Sequence, residues 1–228
     1  MIPAHTTVIV FDTETRLITD AHQAPDLVCM SYAYFSKDGS LLEKGLVTHA
    51  QTSSLFKSFL CHPSVKVGFN VAFDLCVLMQ HDYSLVGPIM SAMADNQIEC
   101  AMLIARLIEN AKGTLQQTPR ANLQHEKVGP FSLAGCVHRY LGQDISEGKS
   151  EGSWRYRFSD LIHLTSVSDY PEDAAQYAVQ DSVVTGDLWF KLREIDFKWR
   201  EIVNAELPED FRSSIILDRH RRARAALA

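Results

Sequence analysis

The sequence predicts an α/β domain whose sheet is organised around one buried strand near the N-terminus. Residues Val8 to Phe11 are all apolar and three of the four are β-branched, as is typical of a strand that is covered on both faces. Two more strand-like segments follow at 27–35 and 41–48, and strand-like and helical segments alternate through the rest of the chain. This order of elements indicates helices packed on a sheet.

The first three strands are expected to form an antiparallel meander on one side of that sheet. The turn signal Lys37-Asp38-Gly39-Ser40 separates the second strand from the third, and a tight turn joins antiparallel neighbours. A helix is predicted next over 52–60, where apolar residues recur at helical spacing, with Thr52 or Ser53 as its N-cap.

The remaining elements follow from apolar periodicity and from helix start and stop signals. In chain order they are a strand at 65–70, a helix at 71–80, a strand at 96–99, a helix at 100–109, a helix at 131–141 that Gly142 ends, and a long helix that begins near Pro171 and reaches Glu194 or Asn204. The segments 110–130 and 143–153 are expected to be irregular, and long loops of this kind in compact domains are often functional.

Length and charge limit the class of protein. The chain has 228 residues, 46% of them hydrophobic, and a formal net charge of -6. We expect one domain over 1–206 and a basic tail over 207–228 that is an appendage or the start of a further domain. The negative charge argues against a nucleic-acid binder that depends on bulk positive charge. It does not argue against an enzyme whose acidic site is neutralised by metal.

Cysteine usage and hydropathy predict a soluble, cytoplasmic protein. The five cysteines are odd in number and widely spaced in apolar surroundings, which favours reduced core residues over disulfides or a zinc site. No apolar run approaches the length of a membrane span, and the N-terminus has no basic region followed by a hydrophobic one. We therefore expect no membrane partner.

Carboxylates at the end of the first strand are candidate metal ligands. Asp12 and Glu14 lie two residues apart, so their side chains share one face of the strand, and like charges held together favour a bound cation. The alternative is a pair of solvated carboxylates at a turn. Asn70 and Asp74, one helical turn apart, contribute a third carboxylate; there the alternatives are a helix cap and a surface acid.

A segment that mixes aromatic and basic residues is a candidate nucleic-acid contact. Trp154-Arg155-Tyr156-Arg157-Phe158 alternates rings with arginines, a pattern that can supply stacking surfaces and phosphate partners for a single strand. The alternative is an aromatic edge packed under the core, with its arginines in solvent.

Three motifs together resemble the exonuclease motifs of the DnaQ-like superfamily, in its DEDD branch with tyrosine in the third motif. They are Phe11-Asp12-Thr13-Glu14-Thr15, Val67 to Asp74, and Tyr177-Ala178-Val179-Gln180-Asp181. The segment from Phe131 to Gly142 also resembles the helix before the third motif in proofreading domains of bacterial and phage family A DNA polymerases. The resemblance covers most of residues 5–195 and implies an RNase H-like fold, a mixed five-stranded sheet with helices on both faces.

The resemblance also implies a site for two divalent cations. Asp12, Glu14 and Asp181 would bind one ion. Asp12 would also bind the second, assisted by Asp74, and Tyr177 would position the attacking water. The histidine-type branch would place histidine five residues before Asp181, where this chain has glutamine. Ligands that are all carboxylates suit Mg²⁺ or Mn²⁺ rather than zinc.

The function predicted from these motifs is a metal-dependent 3′→5′ exonuclease acting on a single-stranded or frayed 3′ end of DNA. It would release nucleoside 5′-monophosphates and serve proofreading in DNA replication, with a polymerase domain or subunit as partner. The residues expected to contact substrate are Thr13, Asn70, Phe73, Arg155 and Arg157. One alternative is an RNase D-type exoribonuclease, which shares the tyrosine motif. The other is a catalytically silent nucleic-acid-binding module attached to a polymerase.

Overall fold

A five-stranded mixed sheet forms the centre of the protein, in the strand order β3-β2-β1-β4-β5. The structure is a computed structural model that describes residues 1–118, 121–122, 127–146 and 152–206. The strands are β1 (Val8–Thr15), β2 (Leu27–Phe35), β3 (Leu41–Thr48), β4 (Val65–Gly68) and β5 (Ile98–Cys100). The first three are antiparallel neighbours, and β1, β4 and β5 run parallel. The predicted α/β class and the antiparallel meander are therefore confirmed.

Helices cover both faces of this sheet. Within the described segments they are α1 (His49–Cys61), α2 (Val71–His81), α3 (Val86–Ala94), α4 (Ala101–Ala111), α5 (Leu133–Leu141) and α6 (Glu172–Glu206). Short 3₁₀ turns lie at Tyr83–Leu85, Trp154–Tyr156, Phe158–Leu161 and Val167–Asp169, and a small ribbon pairs β6 (Ala121–Asn122) with β7 (Lys127–Val128).

The alternation of side chains along β1 divides the core into two layers. Val8 and Val10 pack in a cluster with residues of α4, α5 and α6. Ile9 and Phe11 point to the opposite face and pack against α1, α2 and α3. Because successive side chains of a strand point to opposite faces, both layers are required to bury this strand, as its uninterrupted apolar run predicts.

The boundaries of several helices differ from those predicted. α1 begins at His49 and its N-cap is Thr48, not Thr52 or Ser53. Thr52 instead lies inside the helix, where its hydroxyl donates to the Thr48 carbonyl at 3.0 Å. The helix α3 was not predicted, because its nine residues include a glycine and a proline near its start and such residues usually indicate a loop.

The expectation that the cysteines are core residues is only partly met. Cys29, Cys100 and Cys136 are buried core residues as predicted, whereas Cys61 and Cys76 are exposed on the outer faces of their helices. All five thiols are free. None of the helices in the described segments is long and apolar enough to cross a membrane. The predicted basic tail at 207–228 lies outside the described residues.

Candidate active site

The C-terminal end of β1 is open on one side, and the predicted carboxylates project there. β4 pairs with β1 only as far as Val10, whereas β2 continues alongside β1 to its end. Asp12 and Glu14 therefore lie beyond the last residue that β4 pairs, on the face where Val8 and Val10 meet α6. The crevice outside the carboxyl ends of parallel strands is where open α/β sheets bind ligands.

Thr13 faces the opposite way and holds Asp74. The Thr13 backbone N–H donates to Asp74 Oδ1 at 3.0 Å, and the Thr13 hydroxyl donates to the same oxygen at 2.6 Å. Asp74 is only 2% exposed, so the alternative of a surface acid is wrong. Its position on the first turn of α2 follows from Asn70, which adopts a left-handed conformation (φ 56°) before the helix.

Asn70 does not cap α2 through its side chain, although it occupies the N-cap position. The alternative interpretation as a side-chain helix cap is therefore wrong. Its side chain is exposed and lines the same cleft as Asp74, together with Phe73.

Small residues bring α6 close enough to the sheet to complete the acidic group. Ala174 and Ala178 are fully buried against Val28 and Cys29 of β2. One residue after Asp181, the Ser182 hydroxyl lies 2.6 Å from that of Ser31, and both are buried. Since Ser31 is the β2 residue opposite Asp12, this contact fixes Asp181 near the end of β1.

Five predicted catalytic residues line one cleft with a volume of about 540 Å³. They are Asp12, Glu14, Asp74, Tyr177 and Asp181. The opposite wall is largely apolar and comes from α4, β7 and the start of α5. Its residues are Met102, Val128, Gly129, Phe131, Ser132, Leu133 and Ala134. None of them was predicted as a site residue.

One sequence pattern could have located part of the cleft wall that was not predicted. Ser132 caps α5 by accepting from the Gly135 N–H at 3.1 Å, and its hydroxyl donates to the Gly129 carbonyl at 2.9 Å. A Cβ on Gly135 would lie 2.3 Å from that carbonyl oxygen, so glycine is required for the turn to fold back on the helix. The Ser-x-x-Gly pattern locates this turn, but only tertiary packing places it across the cleft.

Burial and neighbouring charge change the acidity of two groups in the cleft. Burial raises the pKa of Asp74 to about 7, although the hydrogen bonds from Thr13 act in the opposite direction. Burial, followed by the negative charges of Asp181 and Glu14, raises the pKa of Tyr177 well above 10. Arg155 lowers the pKa of Tyr177 and Asp12 adds to the increase. The phenol therefore stays protonated at physiological pH.

The donor set suits a hard divalent cation. Asp12, Glu14, Asp74 and Asp181 present only carboxylate oxygens, the ligands that Mg²⁺ and Mn²⁺ prefer. The charges of Asp12, Glu14 and Asp181 act on Tyr177 and are opposed there by Arg155, so an added positive charge would be stabilised. In the described part of the chain, no three carboxylate, imidazole or thiol groups are already gathered closely enough to hold a metal ion, and Asp74 is turned towards Thr13.

The aromatic and basic segment divides between the cleft and the core. Arg155 lines the cleft. The Arg157 guanidinium lies 4.4 Å from the centre of the Trp154 ring and 3.7 Å from Asp160, and it is not among the residues that line the cleft. The structure therefore does not place Arg157 in the cleft with the other predicted substrate contacts. Phe158 is buried beneath them.

Comparisons with known proteins give a matching family model and solved structures of similar fold. A family model described as 3′-5′ exonuclease matches residues 2–195. No curated protein sequence matches the chain significantly. The structure of Escherichia coli RNase D, described as an exoribonuclease involved in structured RNA processing, is 16% identical and superposes with a TM-score of 0.55 over 97% of this chain and 45% of RNase D. A structure of exonuclease I is 12% identical, with a TM-score of 0.50 over 85% of this chain and 43% of that protein.

These structural likenesses concern the fold. The sheet order and the helices on both faces correspond to the RNase H-like exonuclease fold of RNase D, as the sequence resemblance predicts. The chain spans about half the length of the solved structures that it matches.

Proposed function

We propose a function from the following premise: the chain belongs to the 3′-5′ exonuclease family whose model matches residues 2–195. The proposed reaction is the metal-dependent removal of nucleotides from the 3′ end of single-stranded or frayed DNA, as nucleoside 5′-monophosphates. The observation that carries it is the convergence of four carboxylates and one tyrosine on a single cleft. These residues come from β1, α2 and α6, which are far apart in sequence.

The proposed ligands for two divalent cations are the four carboxylates of the cleft, Asp12, Glu14, Asp74 and Asp181. When bound, Mg²⁺ or Mn²⁺ ions at such a site increase the acidity of water and stabilise charge on a leaving oxygen. Asp12 is the ligand proposed to be shared by both ions, as the resemblance of the first motif to the exonuclease motifs implies.

Tyr177 is assigned to hold the attacking water. Its raised pKa keeps the hydroxyl proton on the phenol, so the group can donate or accept a hydrogen bond but is a poor base. Water then attacks phosphorus in line with the 3′ oxygen of the preceding nucleotide. The P–O3′ bond breaks, the water loses a proton and the departing 3′ oxygen gains one, so the products are a nucleoside 5′-monophosphate and a shortened strand with a 3′ hydroxyl.

The rest of the cleft suits the terminal nucleotide. Arg155 is the basic side chain of the cleft lining and is proposed to contact a phosphate. Asn70 can hydrogen-bond the sugar or base, and Phe73 and Phe131 offer apolar surface to the base. Thr13 is proposed to act through Asp74, because its hydroxyl is already committed to that carboxylate.

The direction of digestion tests this proposal. Purified protein is incubated with Mg²⁺ and an oligodeoxynucleotide labelled at its 5′ end, and separately with one labelled at its 3′ end. We expect a ladder from the 5′-labelled strand and immediate release of labelled mononucleotide from the 3′-labelled strand. Asp12→Ala is the matched inactive control, since it removes the shared ligand. A ladder that shortens from the 5′ end, or equal activity of Asp12→Ala, contradicts the proposal.

The second candidate is a 3′→5′ exoribonuclease. The superposition on RNase D over 97% of this chain favours it, and the tyrosine motif is compatible with both substrates. Matched DNA and RNA oligonucleotides of one sequence without thymine or uracil discriminate between the two, because they then differ only in the 2′-hydroxyl. Faster decay of the RNA strand would replace the DNA assignment.

A proofreading role is the finer part of the proposal. It is supported by the resemblance of the segment from Phe131 to Gly142 to the helix of proofreading domains. A primer with a mismatched 3′ nucleotide frays more readily than a matched one, so we expect it to be digested faster. Equal rates on matched and mismatched primers would argue for a nuclease without this role.

A further inference from the structure

Two arginines lie against the apolar wall of the cleft. The Arg106 guanidinium of α4 is 5.2 Å from the centre of the Phe131 ring, and the Arg139 guanidinium of α5 is 5.5 Å from it. Phe131 itself lines the cleft and packs against the core beneath. Guanidinium groups stack on aromatic rings and remain able to bind phosphate through their N–H donors. The Phe131 ring therefore positions two guanidinium groups beside the cleft.

This corner of the protein carries positive charge although the whole chain is acidic. Glu109, the buried carboxylate of α4, accepts hydrogen bonds from Tyr140 at 2.7 Å, Thr114 at 2.6 Å and Lys112 at 3.2 Å. Three donors therefore bind the Glu109 carboxylate, and Arg106 is not one of them. Burial raises the pKa of Cys136 to about 12, and the charges of Arg139 and Arg106 act against that increase, so both arginines contribute to the local potential.

Arg106 lies next to a residue of the cleft wall. Met102 lines the cleft, and Arg106 follows it one helical turn later on the same face of α4, about 6 Å along the helix axis. Arg106 is exposed. The opposite wall carries the four carboxylates, which repel those phosphates of the strand that do not contact bound metal ions. A strand that leaves the cleft is therefore expected to follow the side of α4 and Phe131.

We propose that Arg106, held against Phe131 and supported by Arg139, binds an internucleotide phosphate of the substrate strand on the 5′ side of the scissile linkage. This surface fits single-stranded nucleic acid, because it combines an aromatic ring with cations at the edge of a groove. The inference rests on the proposed function for the identity of the strand. It goes beyond that function in assigning a binding position outside the cleft.

The test measures binding and turnover separately. Binding of a fluorescent ten-nucleotide oligothymidylate is followed by anisotropy in EDTA, so that no hydrolysis occurs. Arg106→Gln is expected to weaken binding about tenfold and to reduce the slope of log K against log salt by about 0.7, as for one lost phosphate contact on a single strand. Lys57→Gln is the control, since it removes an exposed cation on α1, on the opposite face of the sheet.

Turnover of a substrate too short to reach Arg106 separates the two proposals. The p-nitrophenyl ester of thymidine 5′-monophosphate tests hydrolysis alone, and Arg106→Gln should hydrolyse it with Mn²⁺ at the wild-type rate. If the wild-type protein hydrolyses neither this ester nor the oligonucleotide, the proposed function fails. If the wild-type protein does not bind the ten-nucleotide strand, or Arg106→Gln binds it equally well, the Arg106 inference fails.

Modified oligonucleotides test the inference on the wild-type protein, so the result does not depend on whether a variant folds. Neutral methylphosphonate linkages are placed one at a time along the strand. Wild-type affinity should fall at one or two positions on the 5′ side of the terminal linkage, and Arg106→Lys, which keeps the charge, should preserve that pattern. A uniform response to all linkages overturns the inference.

Discussion

Replacing Asp74 with asparagine should stabilise the metal-free protein at neutral and alkaline pH while it abolishes turnover. Asp74 is 2% exposed, and its Oδ1 accepts two hydrogen bonds from Thr13, which an amide oxygen can also accept. Burial raises the pKa of this carboxyl from 3.8 to about 7. Such an increase corresponds to a free energy on the order of 4 kcal/mol for ionising the group in the folded protein rather than in the unfolded chain.

The sign follows from linkage. Because the folded-state pKa of Asp74 is raised, its contribution to stability is fully present below about pH 4 and is lost as the pH rises through about 7. The advantage of Asp74→Asn over wild type should therefore grow by about 1.4 kcal/mol for each pH unit in that interval. It should level off above about pH 7 at no more than about 4 kcal/mol, reduced by about 1 kcal/mol for the buried amide N–H₂.

The assay is guanidinium unfolding in EDTA at pH 4.5, 6, 7 and 8. Asp82→Asn is the control with a pKa shift of opposite sign, because Ser84 and Lys57 hold the pKa of the partly exposed Asp82 well below its ordinary value. Because the pKa of Asp82 is lowered, the wild-type advantage over Asp82→Asn should stay constant from pH 4.5 to 8 and be lost only as the pH falls below about 4. A difference between wild type and Asp74→Asn that does not change with pH would refute the reasoning, as would a variant that is less stable than wild type at pH 8.

Three further predictions concern Tyr177, Thr13 and the five cysteines. Tyr177→Phe should fold normally and lose activity on the order of 10²-fold in the rate of hydrolysis, because only the water-orienting hydroxyl is removed; a wild-type rate in single-turnover assays would contradict its role. Thr13→Val should lower kcat and destabilise the protein by about 1.5–3 kcal/mol through the hydroxyl lost from Asp74, whereas Thr13→Ser should restore both; failure of serine to rescue kcat would remove the positioning role. Alkylation of the native protein followed by mass spectrometry should label only the exposed thiols, and labelling of any buried one would show that the core opens. The exposed thiols are Cys61 and Cys76, and the buried ones are Cys29, Cys100 and Cys136.

The local sequence predicted most of the sheet because its signals are short-range. The apolar run of β1 requires cover on two faces, and the turn after β2 forces an antiparallel neighbour, so each element is determined within a few residues. The start of α1 was misplaced because Thr52, a common N-cap type, is here buried inside the helix. Residue propensity alone cannot distinguish a threonine at the N-cap from one inside the helix. The position where β3 ends, at Thr48, decides where α1 begins.

The candidate site could be predicted in its residues but not in its geometry. The motif spacing identified Asp12, Glu14, Asp74, Tyr177 and Asp181, all of which line the cleft; their catalytic and ligand roles stay predictions. The motifs gave no indication that Thr13 would hold Asp74, since sixty-one positions separate the two residues.

The sequence by itself determined that a strand buried on both faces ends in two carboxylates on one side, because a strand alternates its side chains with a period of two. Only the tertiary structure decided what meets those carboxylates. The small residues Ala174 and Ala178 let α6 approach β2. The Ser31–Ser182 contact fixes the position of α6 along β2. The turn before α5 forms part of the opposite wall of the cleft. These contacts join segments that are distant in the chain, so no local pattern encodes them.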